Sequence, residues 1–88
     1  MDSYGTADIK VFPNPVKDIV EFFMSNKEKG SIEISITDAL GEIIKKNVIQ
    51  KNENTLRFNL DFSNEARGVY FIKFRSKNSE AVKRFVKM

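Results

Sequence analysis

The sequence has no cysteine, no histidine and no tryptophan, and only two prolines and four glycines in 88 residues. Without histidine or cysteine there is no Ser-His-Asp or Cys-His nucleophile and no thiol redox chemistry. Zinc and haem sites that need imidazole or thiolate are excluded as well. The absence of cysteine fits every redox compartment and selects none. The glycines at 5, 30, 41 and 68 are isolated, so no glycine-rich loop can cradle a phosphate. No apolar run approaches the roughly 20 residues that span a bilayer. The first twenty residues lack a basic segment followed by an apolar one. The chain therefore reads either as cytosolic or as a piece of a longer protein whose export signal lies elsewhere. The length is that of one domain.

What is present is charge and β-forming side chains. Fifteen basic and twelve acidic residues give a net charge of +3. Residues 69–88 hold Lys73, Arg75, Lys77, Lys83, Arg84 and Lys87 against Glu80 alone, a local charge of +5, whereas residues 1–68 sum to −2. A basic terminal segment suits an anionic surface or an acidic partner. Alternating lysines and arginines also solvate edge strands and discourage edge-to-edge pairing.

Nineteen residues are Ile, Val or Thr and ten are Phe or Tyr, types that fit a pleated, half-buried surface. Ile32, Ile34 and Ile36 alternate with Glu33, Ser35 and Thr37. Leu56, Phe58 and Leu60 alternate with Arg57, Asn59 and Asp61. A period of two means one buried and one wet face, and no long window shows helical spacing. The pattern predicts seven strands: Ile9–Phe12, Asp18–Met24, Ser31–Asp38, Glu42–Gln50, Thr55–Asp61, Val69–Ser76 and Ala81–Lys87. Turn chemistry separates them. Pro13-Asn14-Pro15 must lie outside a ladder. Asn26–Gly30 is a polar loop, and Asp38-Ala39-Leu40-Gly41 suits a type I turn. Lys51–Asn54 reads as a hairpin loop, Phe62–Arg67 as a longer corner with one helical turn, and Lys77-Asn78 as a tight hairpin.

Short strands at this spacing predict a seven-stranded antiparallel Ig-like β-sandwich, all-β, over residues 9–88, with residues 1–8 as a linker. The expected inward set is Val11, Ile19 or Val20, Phe22, Ile32, Ile34, Ile36, Leu40, Ile43, Leu56, Phe58, Leu60, Tyr70, Ile72, Phe74, and Val82 or Phe85. The Val69–Ser76 strand is apolar on both faces at its start, which marks it as central. Tyr70, just after a corner, is expected to hydrogen-bond backbone there. Gly68 is expected to permit a positive φ or a close approach.

No active site emerges, and the chain reads as no enzyme, with no cofactor and no metal site. Asp38 with Glu42, and Asp18 with Glu21, are carboxylate pairs of the kind that twelve acids produce by chance. Asp61, Ser63, Asn64 and Glu65 are the only calcium candidates, and a turn closed by an Asx-type hydrogen bond explains them more simply. Phe71 and Phe74 alternate with Lys73 and Arg75, but a β core accounts for them without nucleic acid.

Four motifs in order resemble the C-terminal sorting domain of the type IX (Por) secretion system, in the type A form found at the ends of secreted Bacteroidetes proteins. Val11-Phe12-Pro13-Asn14-Pro15 is similar to its opening signature. Ile34 through Gly41 is similar to its strand and Asp-x-x-Gly turn. Asp61-Phe62-Ser63 leading to Gly68-Val69-Tyr70-Phe71-Ile72 is similar to its Gly-Val-Tyr block. Lys83-Arg84-Phe85-Val86-Lys87 is similar to its basic-hydrophobic close. Glu42 and Glu65 depart from the pattern, in the turn and the corner loop.

The resemblance implies a folded, non-catalytic export signal attached to the end of a cargo protein. It would pass through the periplasm, meet the type IX outer-membrane translocon and shuttle proteins, and reach the cell surface or the medium. A sortase-type cysteine protease would then remove it, within or before residues 1–8. The resemblance places translocon recognition at Gly68, Tyr70, Lys83, Phe85, Val86 and Lys87, and assigns Pro13, Asn14, Pro15, Asp38 and Gly41 to structure. Neither nucleic acid nor membrane insertion is implied. An exposed last strand would offer its edge for strand addition, with Lys83, Lys87 and the terminal carboxylate facing the partner, and such an edge could also pair two copies. The rival reading is an Ig- or fibronectin-like carbohydrate-binding or adhesive module. Carbohydrate platforms favour exposed Trp or Tyr, and this chain offers only Tyr70 and Tyr4.

Overall fold

The alternation read from the sequence is realised as strands throughout. A computed structural model describes residues 8–88, and the expected linker, with Tyr4, lies outside the described residues except for Asp8. Seven strands follow in order: β1 (Asp8–Phe12), β2 (Ile19–Ser25), β3 (Gly30–Asp38), β4 (Ile43–Lys51), β5 (Thr55–Asp61), β6 (Gly68–Arg75) and β7 (Glu80–Lys87). They form two antiparallel sheets, β1-β2-β5 and β4-β3-β6-β7, packed face to face as an Ig-like sandwich. β6 lies between β3 and β7, as its two apolar faces require.

The core lies between the sheets. Val20, Phe22 and Met24 of β2 face Ile32, Ile34 and Ile36 of β3, Tyr70, Ile72 and Phe74 of β6, and Phe85 of β7. Fully burying side chains of this size contributes roughly 1.5–3 kcal/mol each. The two either-or assignments resolve to Val20 and Phe85, since Ile19 is 51% and Val82 55% exposed. Ile9, Val16, Met24 and Phe62 join the core unforeseen.

Two expected core residues are outside it: Leu40 is 92% and Ile43 54% exposed. Leu40 sits at the tip of the β3–β4 turn. The Asp38 carbonyl accepts from the Gly41 amide at 3.0 Å, and Asp38 Oδ1 accepts from the amides of Leu40 and Glu42 at 3.0 and 2.9 Å. Gly41 takes φ +88°, the left-handed conformation that follows a type I turn in a three-residue hairpin loop. Ile43 fails for a related reason. Ile36 pairs with Lys45 but Thr37 pairs with Ile43, so β4 carries a bulge that shifts its side-chain phase at this point.

The segment Lys51–Asn54 is not a hairpin. β4 and β5 belong to different sheets, so it crosses from one to the other. The buried Lys51 ammonium holds that crossing, donating to the Asn26 carbonyl at 2.9 Å and the Glu28 carbonyl at 2.6 Å. The Phe62–Arg67 corner has no helical turn. A single bond from the Glu65 amide to the Phe62 carbonyl, 3.1 Å, closes it. Asp61 Oδ1 accepts from the amide and hydroxyl of Ser63 at 3.0 and 2.6 Å, which is the Asx turn. Those bonds lower the Asp61 pKa.

Candidate functional site

The register of the last two strands assembles the residues singled out in the sequence. Gly68 is opposite Lys87, Val69 opposite Val86, and Tyr70 opposite Phe85, while Lys83 is opposite Ile72 two steps further on. The Gly-Val-Tyr block and the basic-hydrophobic close are therefore one paired unit.

The opening motif meets the same unit. Asn14 Oδ1 accepts from the Val86 amide at 3.1 Å. The Val16 amide donates to the Val86 carbonyl at 2.7 Å, and the Met88 amide donates to the Val16 carbonyl at 2.8 Å. Pro13 and Pro15 keep this segment out of regular pairing, so Asn14 and Val16 supply a short lateral clasp. Its consequence is that the terminal part of β7 is not an open edge. The outward amide and carbonyl of Val86 are already used. Asn14→Ala is expected to cost about 1 kcal/mol through the lost bond and unpaired Val86 amide. Urea unfolding would read the cost, and faster hydrogen exchange at Val86 would locate it.

Beneath the clasp lies an aromatic cluster. The Phe85 ring stacks on Tyr70 at 5.9 Å and meets Phe62 and Phe22 near edge-on at 5.5 Å each, while Phe62 meets Tyr70 edge-on at 5.0 Å. Phe62 and Val16 are members of this site that the motifs did not single out. The Tyr70 hydroxyl donates to the Ala66 carbonyl at 2.6 Å, the corner bond expected of a Tyr at this point of an Ig-like sandwich. Burial raises its pKa, and the carboxylates of Glu65 and Asp38 push the same way. Tyr70→Phe is expected to cost about 1 kcal/mol, measured by thermal or urea unfolding.

Gly68 opens β6 with φ +150°, and a Cβ built there meets nothing within 4 Å. Its requirement is conformational and not one of space.

The recognition candidates divide by exposure. Tyr70, Phe85 and Lys87 are buried, and Lys87 Nζ donates to the Met88 carbonyl at 2.9 Å. Lys87 thus does not face outward as expected. Gly68 and Lys83 are exposed and Val86 is half-buried. Asp38, opposite Tyr70, brings the Asp38–Gly41 turn to the same end of the sandwich. Phe12, Ile19, Leu40 and Met88 stand exposed around that end. Among the described residues, no group of three or more carboxylates is placed to hold a metal ion.

In this all-β module the opening motif, the Gly-Val-Tyr block and the basic-hydrophobic close meet along β6 and β7, and the Ile34–Gly41 motif joins them by pairing β3 with β6. Residues 10–88 match the family model described as the secretion system C-terminal sorting domain, and the chain belongs to that family, the sorting domains of type IX secretion. A search of curated proteins gives no match. The family is non-catalytic. Its members act as the C-terminal tail of a cargo protein and direct export to the cell surface or extracellular space.

Proposed function

We propose that this domain carries a preceding cargo from the periplasm to the type IX outer-membrane translocon and its shuttle proteins, that it is read at its clasped C-terminal strand, and that a sortase-type cysteine protease then removes it, with no catalysis by the domain itself. The observation that supports this reading is that the opening motif and the Gly-Val-Tyr block both bind β7, which carries the basic-hydrophobic close. Tyr70, Phe85 and Lys87 act from inside, holding the strand in place. Gly68, Lys83 and Val86 present its surface to the translocon, within a rim of exposed apolar side chains. Separation from the cargo falls in or before residues 1–8, ahead of the sandwich. The carbohydrate-binding alternative loses its described aromatic platform, because Tyr70 is buried under the clasp.

Two arms of one experiment test the proposal on a reporter fused ahead of residues 1–88. Lys83→Ala should leave the domain folded and reduce surface delivery several-fold. Undiminished delivery by the folded variant would sink the role given to Lys83. Mass spectrometry of the delivered reporter should find the sandwich removed only where the sortase is present. An intact fusion at the surface in both strains would refute cleavage.

A further inference from the structure

β7 is an edge of the four-stranded sheet, and its two halves differ. From Val86 onward the clasp covers it. Successive residues of a strand turn their backbone groups to alternate neighbours. Val86 turns its amide and carbonyl outward, and the β6–β7 ladder runs without a register shift. Arg84, Val82 and Glu80 therefore turn theirs outward too. Among the described residues, no backbone partner takes them. The stretch from Glu80 to Arg84 is an open edge.

The side chains of those residues lie on one face. Phe85 points into the core, so Glu80, Val82 and Arg84 stand on the outer face of the sheet. Val82 is 55% exposed, and both charged residues are exposed. Glu80 pairs with Lys73 at 3.1 Å, whereas no ion pair reaches Arg84 among the described residues. The order acid, valine, base is complementary to itself when reversed. Antiparallel pairing about a twofold axis at Val82 sets Val82 opposite its own copy and Glu80 opposite Arg84 of the second copy, at both ends. Each opposed pair has its backbone groups turned toward the other and exchanges both N–H···O=C bonds. On the inner face Lys83 comes opposite Ala81, whose small side chain leaves room for the lysine stem. Lys83 is therefore not set opposite its own copy. The pairing ends where the clasp begins, at Val86.

We infer that this open edge is a self-recognition site, at which two copies of the domain pair β7 with β7 in antiparallel register about Val82 and join their four-stranded sheets into one. Register selects the occupant, because one alignment satisfies the backbone groups, the valine pair and both charge pairs together. β4, the other edge of the same sheet, lacks these features. Asn47 Oδ1 takes the Val48 amide at 2.9 Å, and β4 carries lysines with no acid to oppose them. The inference stands without the sorting role.

Sedimentation equilibrium of the chain, with amide hydrogen exchange, tests it. A short interface of this kind forms a transient complex. The dissociation constant should fall between about 10 µM and 1 mM, with exchange slowed at Glu80, Val82 and Arg84 in the dimer. Arg84→Glu opposes two acids at each end of the pairing, and Glu80→Arg opposes two bases. Each variant alone should dimerise at least about tenfold more weakly. Mixed in equal amounts, the two variants regain both charge pairs and should form a heterodimer about as tight as the parent dimer. Both substitutions alter exposed side chains, and circular dichroism should show the parent fold in each. Any of five results would overturn the inference: a monomer at about 1 mM, undiminished dimerisation of Arg84→Glu, no recovery in the mixture, protection centred on another strand, or a dimer that does not separate on dilution. The last would mark an exchanged β7 in place of paired edges.

Discussion

Phe85→Ala is expected to remove about 3–5 kcal/mol of stability, against a total of about 4–13 kcal/mol for a chain of this length. The ring is fully buried and touches Tyr70, Phe62 and Phe22 together. Those three belong to β6, the corner after β5, and β2, so a cavity there loosens both sheets at once. It also releases the strand that the clasp holds from outside. Urea unfolding should show a large fall in midpoint, with Lys83→Ala, two residues away and exposed, within about 0.5 kcal/mol of the parent. A cost below about 1 kcal/mol for Phe85→Ala would mean that the cluster does not anchor the terminal strand. The contrast also separates two ways of losing export, one through an unfolded signal and one through a folded signal that is not read.

Lys51→Met is expected to cost about 2–3 kcal/mol. Methionine keeps most of the stem but leaves the Asn26 and Glu28 carbonyls without their shared donor. The pH dependence identifies the ammonium. Burial lowers the Lys51 pKa from its ordinary 10.5, Lys29 pushes the same way, and Glu28 opposes. The cost of holding the charge inside is therefore full at neutral pH and is relieved as pH rises from the folded pKa toward 10.5. Tyr70 has the opposite sign. Its raised pKa means the folded state keeps the proton longer, so stability falls as pH rises above 10.0. Alkaline unfolding series should show the rise alone in Tyr70→Phe and the fall alone in Lys51→Met. A Lys51→Met curve that still rises toward pH 10.5 would assign the effect to another group.

The strands were legible because period two is a local property. Ile32, Ile34 and Ile36 declare their face without reference to anything distant. The same rule, carried one step beyond Leu60, reaches Phe62, which the polar residues after it disguised as loop. Leu40 and Ile43 misled because a turn tip and a bulge break the phase, and an apolar side chain in such a place looks like core. Lys51 looks like loop in the sequence because its partners, Asn26 and Glu28, lie more than twenty positions earlier and nothing local announces them. The motif residues were legible as a set, but their division into buried and exposed was not. Phe85 and Lys83 share one face of β7, and only the depth of packing along the strand separates them. The clasp from Asn14 and Val16 to Val86 joins residues about seventy apart, and it closes the edge that the sequence suggested was open.

The central claim is that these 88 residues are sufficient to sort an attached protein. The most direct test fuses them to the end of a periplasmic fluorescent reporter in a bacterium with a working type IX system and compares a strain lacking the translocon. Reporter at the surface or in the medium only when the translocon is present is the predicted result. A folded, intact fusion held in the periplasm of both strains would contradict it.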